Sequence, residues 1–486
     1  MRKSLFLLTA VALIATPALA QLTTLRQNDI AEAAKNNPAI VAEYGGAETG
    51  ARAAYVNNIG HRVAAQSGTA NAGQAYHFTT LNSPVENAFS VPGGYVYITR
   101  QLMGLMGDEA ELAFVLGHET GHIAADHGRT RQKASSRNSI LSVLGAIVGG
   151  VVGNNPFGSL ISQGLQRYSQ LATLSFSRQQ EYEADQLGIR YIAQAGYDPT
   201  AGATMLDALT RSAALESRVQ GKSGRSTPEW ASTHPLSENR SAQARQLAAQ
   251  FARAGSGMRN REAFLAQLNG VRVDDDPAQG VIEGLTFTHP DLRLQFAIPA
   301  GFQMSNSADA VTVEGTSGKA QFSTDRYNGN MQAYVGQVIQ DLTGGQTQVQ
   351  MGPLQQTSVN GIPAVYTTGR AQTDNGIVDV SVFAYQWSAT QAYHFVMLTQ
   401  DGQGIGPFQS MVGSMRRITS AEAAAIRPRI ISIQAVRAGD SVRSLSSRMA
   451  YRDYRLERFL SLNNLQASSR LAPGTKVKLI VYESRR

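Results

Sequence analysis

Cysteine is absent from the 486 residues. Its absence excludes a disulfide scaffold, a Cys-ligated zinc finger, a thiol nucleophile and a lipid-modified N-terminal cysteine. Charge is sparse, with 16% of residues charged against 42% hydrophobic. That balance excludes a disordered acidic or basic chain and leaves ample apolar material for cores. Long apolar runs are lacking as well. A spanning helix needs ~20 apolar residues, and the two longest candidates, residues 5–15 and 140–153, fall short of it.

The first of these runs follows Arg2 and Lys3 and precedes Pro17 and Ala18-Leu19-Ala20. This is the layout of a secretory signal peptide cut after Ala20. Residues 1–20 are therefore expected to be removed and the protein exported to the periplasm, with membrane contact at most peripheral. Residues 140–153 (ILSVLGAIVGGVVG) are glycine-rich and read as a buried or rim segment. Charge is uneven along the chain. Residues 427–486 hold 13 Lys and Arg against 4 Asp and Glu, whereas the rest of the mature chain carries a net −4. A basic tail on a mildly acidic body suggests that the tail has a partner of its own.

The texture divides the chain into parts. Residues 21–270 read as mostly helical, 271–280 (with Asp274-Asp275-Asp276-Pro277) as a linker, and 281–420 as alternating strands with a helix near 331–342. A small basic module follows over 427–486. The expected fold class is multidomain α+β.

Residues 118–122 are His-Glu-Thr-Gly-His. Asp108 and Glu111 form a capping-box pattern ahead of a helical run that Gly128 can end. On that helix His118 and His122 face the same way, as two zinc ligands must. Glu119 lies about 100° round the helix, placed to take a proton from a water that the metal activates. Ala125 and Gly128 stand where a metzincin has Gly and His, so that subclass is excluded. His127 lies about 140° from His122 on a continuing helix and should not reach the same metal. The third ligand must come from elsewhere. Glu181 is the best candidate, on a second periodic helix where it shares a face with Asp185 while Glu183 points away. A carboxylate one turn from the ligand could accept the other N–H of a metal-bound histidine.

At these residues the chain resembles the zinc metallopeptidases that include the CAAX prenyl endopeptidase and the bacterial periplasmic β-barrel-assembly-enhancing protease. The matching pieces are Asn87-Ala88-Phe89-x-x-Pro92-Gly93-Gly94, Asp108-Glu109-Ala110-Glu111-Leu112, and His118-Glu119-x-x-His122 with His127. Ser177-Arg178-x-x-Glu181-x-x-Ala184-Asp185 and Thr233-His234-Pro235 with Arg240 follow. The resemblance implies a gluzincin-like domain with one zinc ion on His118, His122 and Glu181. It implies Glu119 as general base and Asp185 in a supporting or proton-donor role. His234 has two open roles, donation to the oxyanion or occupation of the fourth metal position in a resting enzyme. Residues 94–99 alternate after a Pro-Gly-Gly turn. They are either an edge strand that pairs with an extended substrate or an ordinary paired strand.

The opening Phe296-x-x-Pro299-x-Gly301-Phe302 of the middle part resembles small antiparallel-sheet domains of the PsbP type, which implies no chemistry. The tail resembles a βααβ lysin-motif (LysM) module through Ala435–Ala438 followed by Gly439-Asp440-Ser441-Val442, Leu460-x-x-Asn463-x-Leu465 and Pro473-Gly474. That resemblance implies binding to peptidoglycan, with an acidic polymer as the rival partner, and the tail is expected to fold and bind independently. The functional expectation is a secreted zinc endopeptidase acting on misfolded or unassembled proteins, with no nucleic-acid partner. The alternative is a peptidoglycan-binding scaffold or chaperone with a latent or silent peptidase domain.

Overall fold

The computed structural model describes residues 24–128, 176–219, 230, 234–235, 239–251, 255–307, 310–343, 349–373 and 376–484. The expected signal peptide and the apolar run at 140–153 lie outside the described residues. No described helix is long and apolar enough to cross a membrane.

The first domain is built on α1 (Gln27–Glu43), α2 (Ala51–Ala64), β1 (His77–Leu81), β2 (Ala88–Val91), β3 (Tyr95–Thr99), α3 (Arg100–Leu105) and α4 (Glu109–Ala124). Next come α5 (Arg178–Gln194), α6 (Ala201–Val219), α7 (Arg240–Ala248) and α8 (Arg261–Leu268). Helix α4 is buried along its length, and apart from Glu109, Glu111 and the motif its sequence is apolar on every side. Asp108 caps it by accepting from the Glu111 amide at 3.1 Å. The expected reciprocal half of the capping box is absent, because Glu111 Oε2 accepts from the Gly107 amide at 2.7 Å instead. Helix α5 has a complete capping box between Ser177 and Gln180.

Helices α4 and α5 pack closely because glycines line their contact. A Cβ on Gly188 would stand 3.0 Å from the His118 amide nitrogen, and one on Gly121 3.0 Å from the Leu187 Cβ. Side chains at these positions would push the helices apart and draw Glu181 and Asp185 away from His118. The small sheet beside them has the order β1-β3-β2, with β3 parallel to β1 and antiparallel to β2. Residues 94–99 are thus the central strand and not the edge. Among the described residues, the edge nearest the motif is β2.

The middle domain contains a four-stranded sheet and an eight-stranded antiparallel sheet. Its strands include β5 (Val281–Glu283), β6 (Thr286–His289), β7 (Leu294–Ala297), β10 (Gly318–Thr324), β14 (Gly376–Gln386) and β15 (Ala392–Gln400). Helix α9 (Met331–Thr343) packs on one face of the large sheet, and Phe296, Phe322 and Phe395 interlock in a second core on the other.

The tail runs β17 (Arg429–Ala435), α10 (Val442–Ser446), α11 (Arg455–Asn463) and β18 (Lys476–Tyr482), the expected βααβ order. It is not separate from the first domain. Ile431, Val442, Phe459, Val477 and Leu479 belong to one apolar core with Leu102, Leu105 and Phe114. The stretch expected as linker makes the joint. It carries β4 (Arg272–Val273), which pairs with β17, and the buried Arg100 donates to the carbonyls of Arg272 and Asp274, each at 2.9 Å. The tail is expected to fold independently; in the structure its apolar residues share one core with the first domain.

Candidate metal centre

Four side chains from three places in the chain converge. The ligating atoms of His118, His122, Glu181 and His234 lie within 4.8 Å of one another, and all four residues are buried. His118 Nε2 stands 3.0 Å from His122 Nε2, and His122 Nε2 3.4 Å from Glu181 Oε1. His234 Nδ1 is 2.9 Å from Glu181 Oε1 and 3.4 Å from His118 Nε2. The helix α4 spacing supplies the first two residues and the first turn of α5 the third. His234 is 1% exposed, and the Trp230 ring stacks on it with centroids 4.0 Å apart.

The group fits a single metal ion. Buried imidazole nitrogens and a carboxylate aimed at one point have the donor chemistry of a zinc site. Glu119, fully buried, adds an orphan, because its Oε1 makes no hydrogen bond among the described residues. Its Oε2 accepts from Ser90 Oγ at 2.9 Å, so β2 holds the glutamate in place. Burial raises the Glu119 pKa against the pull of His234 and His118. Sequence reasoning missed Ser90; it lies between Phe89 and Val91 in the segment that carries the resemblance, but nothing in its spacing links it to residue 119.

Asp185 and Arg240 form the support behind His118. Asp185 Oδ1 lies 3.0 Å from His118 Nδ1, the relation expected of a carboxylate one turn from the ligand. Arg240, 4% exposed, reaches Asp185 Oδ1 and Glu181 Oε2, each at 2.8 Å, and donates through Nε to Asp185 Oδ2 at 2.8 Å. Burial alone would raise both carboxyls. The facing His234, His122 and Arg240 hold Glu181 well below the usual range, and Arg240 with His118 lowers Asp185. Burial drives His122 well below the ordinary histidine value, which favours its neutral, ligating form.

His127 does not join the four, as expected, but the helical reasoning behind that expectation fails. Helix α4 stops at Ala124, short of Gly128, and Asp126 takes a left-handed conformation with φ 55°. The chain turns there and brings His127 Nδ1 to 2.9 Å from His122 Nδ1. Glu183 points away from the metal group, as expected, yet its Oε2 comes within 3.3 Å of His127 Nε2.

Among the described residues, the fold places one candidate metal centre between two helices. Residues 50–248 match the family described as Peptidase family M48, whose members are zinc-dependent, and this segment is similar to them. The chain is 31% identical over 200 residues to the "Beta-barrel assembly-enhancing protease" of Escherichia coli, covering 40% of this chain and 39% of that one. It is 31% identical over 186 residues to the "Mitochondrial metalloendopeptidase OMA1" of Schizosaccharomyces pombe, covering 38% of this chain and 50% of that one. The chain thus spans only about two fifths of the length of the first relatives it matches, 39%. A solution structure of cyanobacterial PsbP from Synechocystis is similar with a TM-score of 0.22 and 9% identity, covering 27% of this chain and 91% of that one.

Proposed function

We propose that the protein is a zinc-dependent endopeptidase of the bacterial cell envelope that hydrolyses peptide bonds in misfolded or unassembled proteins. The convergence of His118, His122 and Glu181 beside a buried Glu119, one oxygen of which accepts no hydrogen bond among the described residues, carries this reading. Zinc held by those three residues supplies Lewis acidity, polarising a peptide carbonyl and acidifying water. Glu119 Oε1, which accepts no hydrogen bond among the described residues and faces His234 Nε2 at 3.5 Å, is the acceptor for the water proton. Its burial-raised pKa suits it to hold that proton and pass it to the leaving amine. Ser90 keeps the other oxygen turned away during the exchange. Asp185, fixed by Arg240, orients His118. The β2 edge, which carries Ser90, is the strand against which an extended substrate backbone would lie.

The envelope setting rests on the signal-like residues 1–20, and the substrate class on the similarity to the β-barrel assembly-enhancing protease over residues 50–248. The 427–486 module is proposed to contact peptidoglycan, on its LysM-like pattern. A second reading, a latent enzyme, is favoured by one observation: His234 Nδ1 stands among the metal donors, where it would exclude water.

Metal analysis with a casein-type assay tests the main reading. Chelation should abolish hydrolysis and zinc restore it. Glu119→Gln should keep zinc and lose most turnover, because glutamine cannot accept the proton. A Glu119→Gln protein that cleaves at the wild-type rate would overturn the mechanism.

A further inference from the structure

The two motif histidines are backed differently. Behind His118 stands a buried carboxylate, Asp185, tied to Arg240. Behind His122 stands a second imidazole. His122 Nδ1 lies 2.9 Å from His127 Nδ1, and His127 Nε2 lies 3.3 Å from Glu183 Oε2. Gln180 Nε2 reaches the His127 carbonyl at 3.5 Å. One face of α5 thus supplies a metal-site residue, Glu181, while its neighbours Gln180 and Glu183 hold the residue behind His122.

We propose that His127 and Glu183 are positioning residues that fix the tautomer and ring orientation of His122 for the metal. The inference rests on the zinc reading above. Proton placement follows from the chain of contacts. A carboxylate only accepts, so His127 carries its proton on Nε2 and donates it to Glu183. His127 Nδ1 then has its lone pair free and accepts the Nδ1–H of His122. That leaves the lone pair of His122 on Nε2, the atom that faces His118 and Glu181. Each bond in the series leaves one placement for the next proton. The His127 ring is nearly buried, whereas the Glu183 side chain is 51% exposed, so the support runs from the metal site to the surface. The left-handed turn at Asp126 is what allows it, since a continued helix would carry residue 127 away from residue 122.

The test uses the full chain and reads zinc affinity by chelator competition, with the visible spectrum of the cobalt-substituted protein as a second signal. His127→Leu removes the acceptor and should weaken zinc by about 10–100-fold, the usual cost of losing such an outer partner. His127→Asn places an amide oxygen close to where Nδ1 was and should restore affinity toward wild type. Glu183→Ala, at a half-exposed position that does not threaten folding, should weaken zinc less and shift the cobalt spectrum. Wild-type affinity in His127→Leu, or an Asn variant as weak as the Leu variant, would overturn the inference. So would a Glu183→Ala protein with unchanged affinity and spectrum. A wild-type protein that binds no zinc sinks the peptidase reading and this inference together. A zinc-binding, proteolytic wild type with an unaffected His127→Leu variant sinks this inference alone.

Discussion

His234 Nδ1 lies 2.9 Å from Glu181 Oε1, inside the cluster of metal donors. His234 Nε2 faces Glu119 Oε1 at 3.5 Å, so the same ring also stands where water must meet the base. The position favours occupation of the metal over donation to an oxyanion. His234→Ala should therefore keep zinc on His118, His122 and Glu181 and raise basal casein hydrolysis. A fall in turnover of about 10²–10³-fold would instead assign the oxyanion role. Unchanged rates and unchanged metal spectra would leave His234 as a packing partner of Trp230.

Arg240 neutralises two buried carboxylates at once, Glu181 and Asp185. Replacing it by methionine keeps the volume and strands both charges. Breaking a buried pair in this way costs about 3–5 kcal/mol. Denaturant unfolding of the Arg240→Met protein should show a loss of that order, and zinc should bind more weakly. An Arg240→Met protein as stable as wild type would mean that the carboxylates find other partners.

His394 gives the middle domain a pH dependence. It sits opposite Ser323 across β10 and β15, with Nε2 3.0 Å from Ser323 Oγ and Nδ1 2.8 Å from the Tyr334 hydroxyl. Burial pushes its pKa down to about 4 from an ordinary 6.5. Between those values the unfolded chain binds a proton that the folded chain refuses. Stability should therefore fall as pH drops from 6.5 to 4, by up to about 3 kcal/mol. His394→Gln should flatten that limb of the stability profile, measured by denaturant unfolding at successive pH values. An equal acid slope in both proteins would refute the assignment.

The legible parts of the molecule were those set by local pattern. The four-residue spacing of His118 and His122, and of Glu181 and Asp185, dictates shared helix faces, and α4 and α5 keep those faces. What escaped was set by single turns and by long-range contact. A helix extended to Gly128 puts His127 out of reach, and only the left-handed Asp126 reverses that. The position of β3 between β1 and β2 depends on pairing, which alternation in residues 94–99 does not encode. The tail looked autonomous because its turns and charge are its own. Its apolar positions, indistinguishable in sequence from the core of a free module, are completed by Leu102 and Leu105.

That shared core sets the prediction for the tail. Lys478, 1% exposed, donates to the carbonyls of Gly104, Leu105 and Met106 at 2.8, 3.1 and 2.7 Å. Those carbonyls end α3 immediately before Gly107 and the Asp108 cap of the helix that carries the metal motif. Arg261 adds a second tie, from the Gly107 carbonyl at 2.7 Å to the Lys476 carbonyl at 3.1 Å. Lys478→Met leaves three buried acceptors without their donor, at about 1–3 kcal/mol for each one that stays unmet. The variant should unfold at a lower temperature than wild type, and zinc release should accompany that unfolding. Removing residues 427–486 altogether should do more damage, uncovering Val271 and Val273 and lowering casein hydrolysis along with stability. Sacculus binding is better tested on the full chain, at two salt concentrations. Capture by charge should fade as the Debye length falls from about 10 Å at 0.1 M to about 3 Å at 1 M, whereas recognition of sugar rings should persist. A tail-less protein with wild-type melting and wild-type hydrolysis would show that the joint through Lys478 and β4 carries no stability, and that the tail is a passenger on the peptidase.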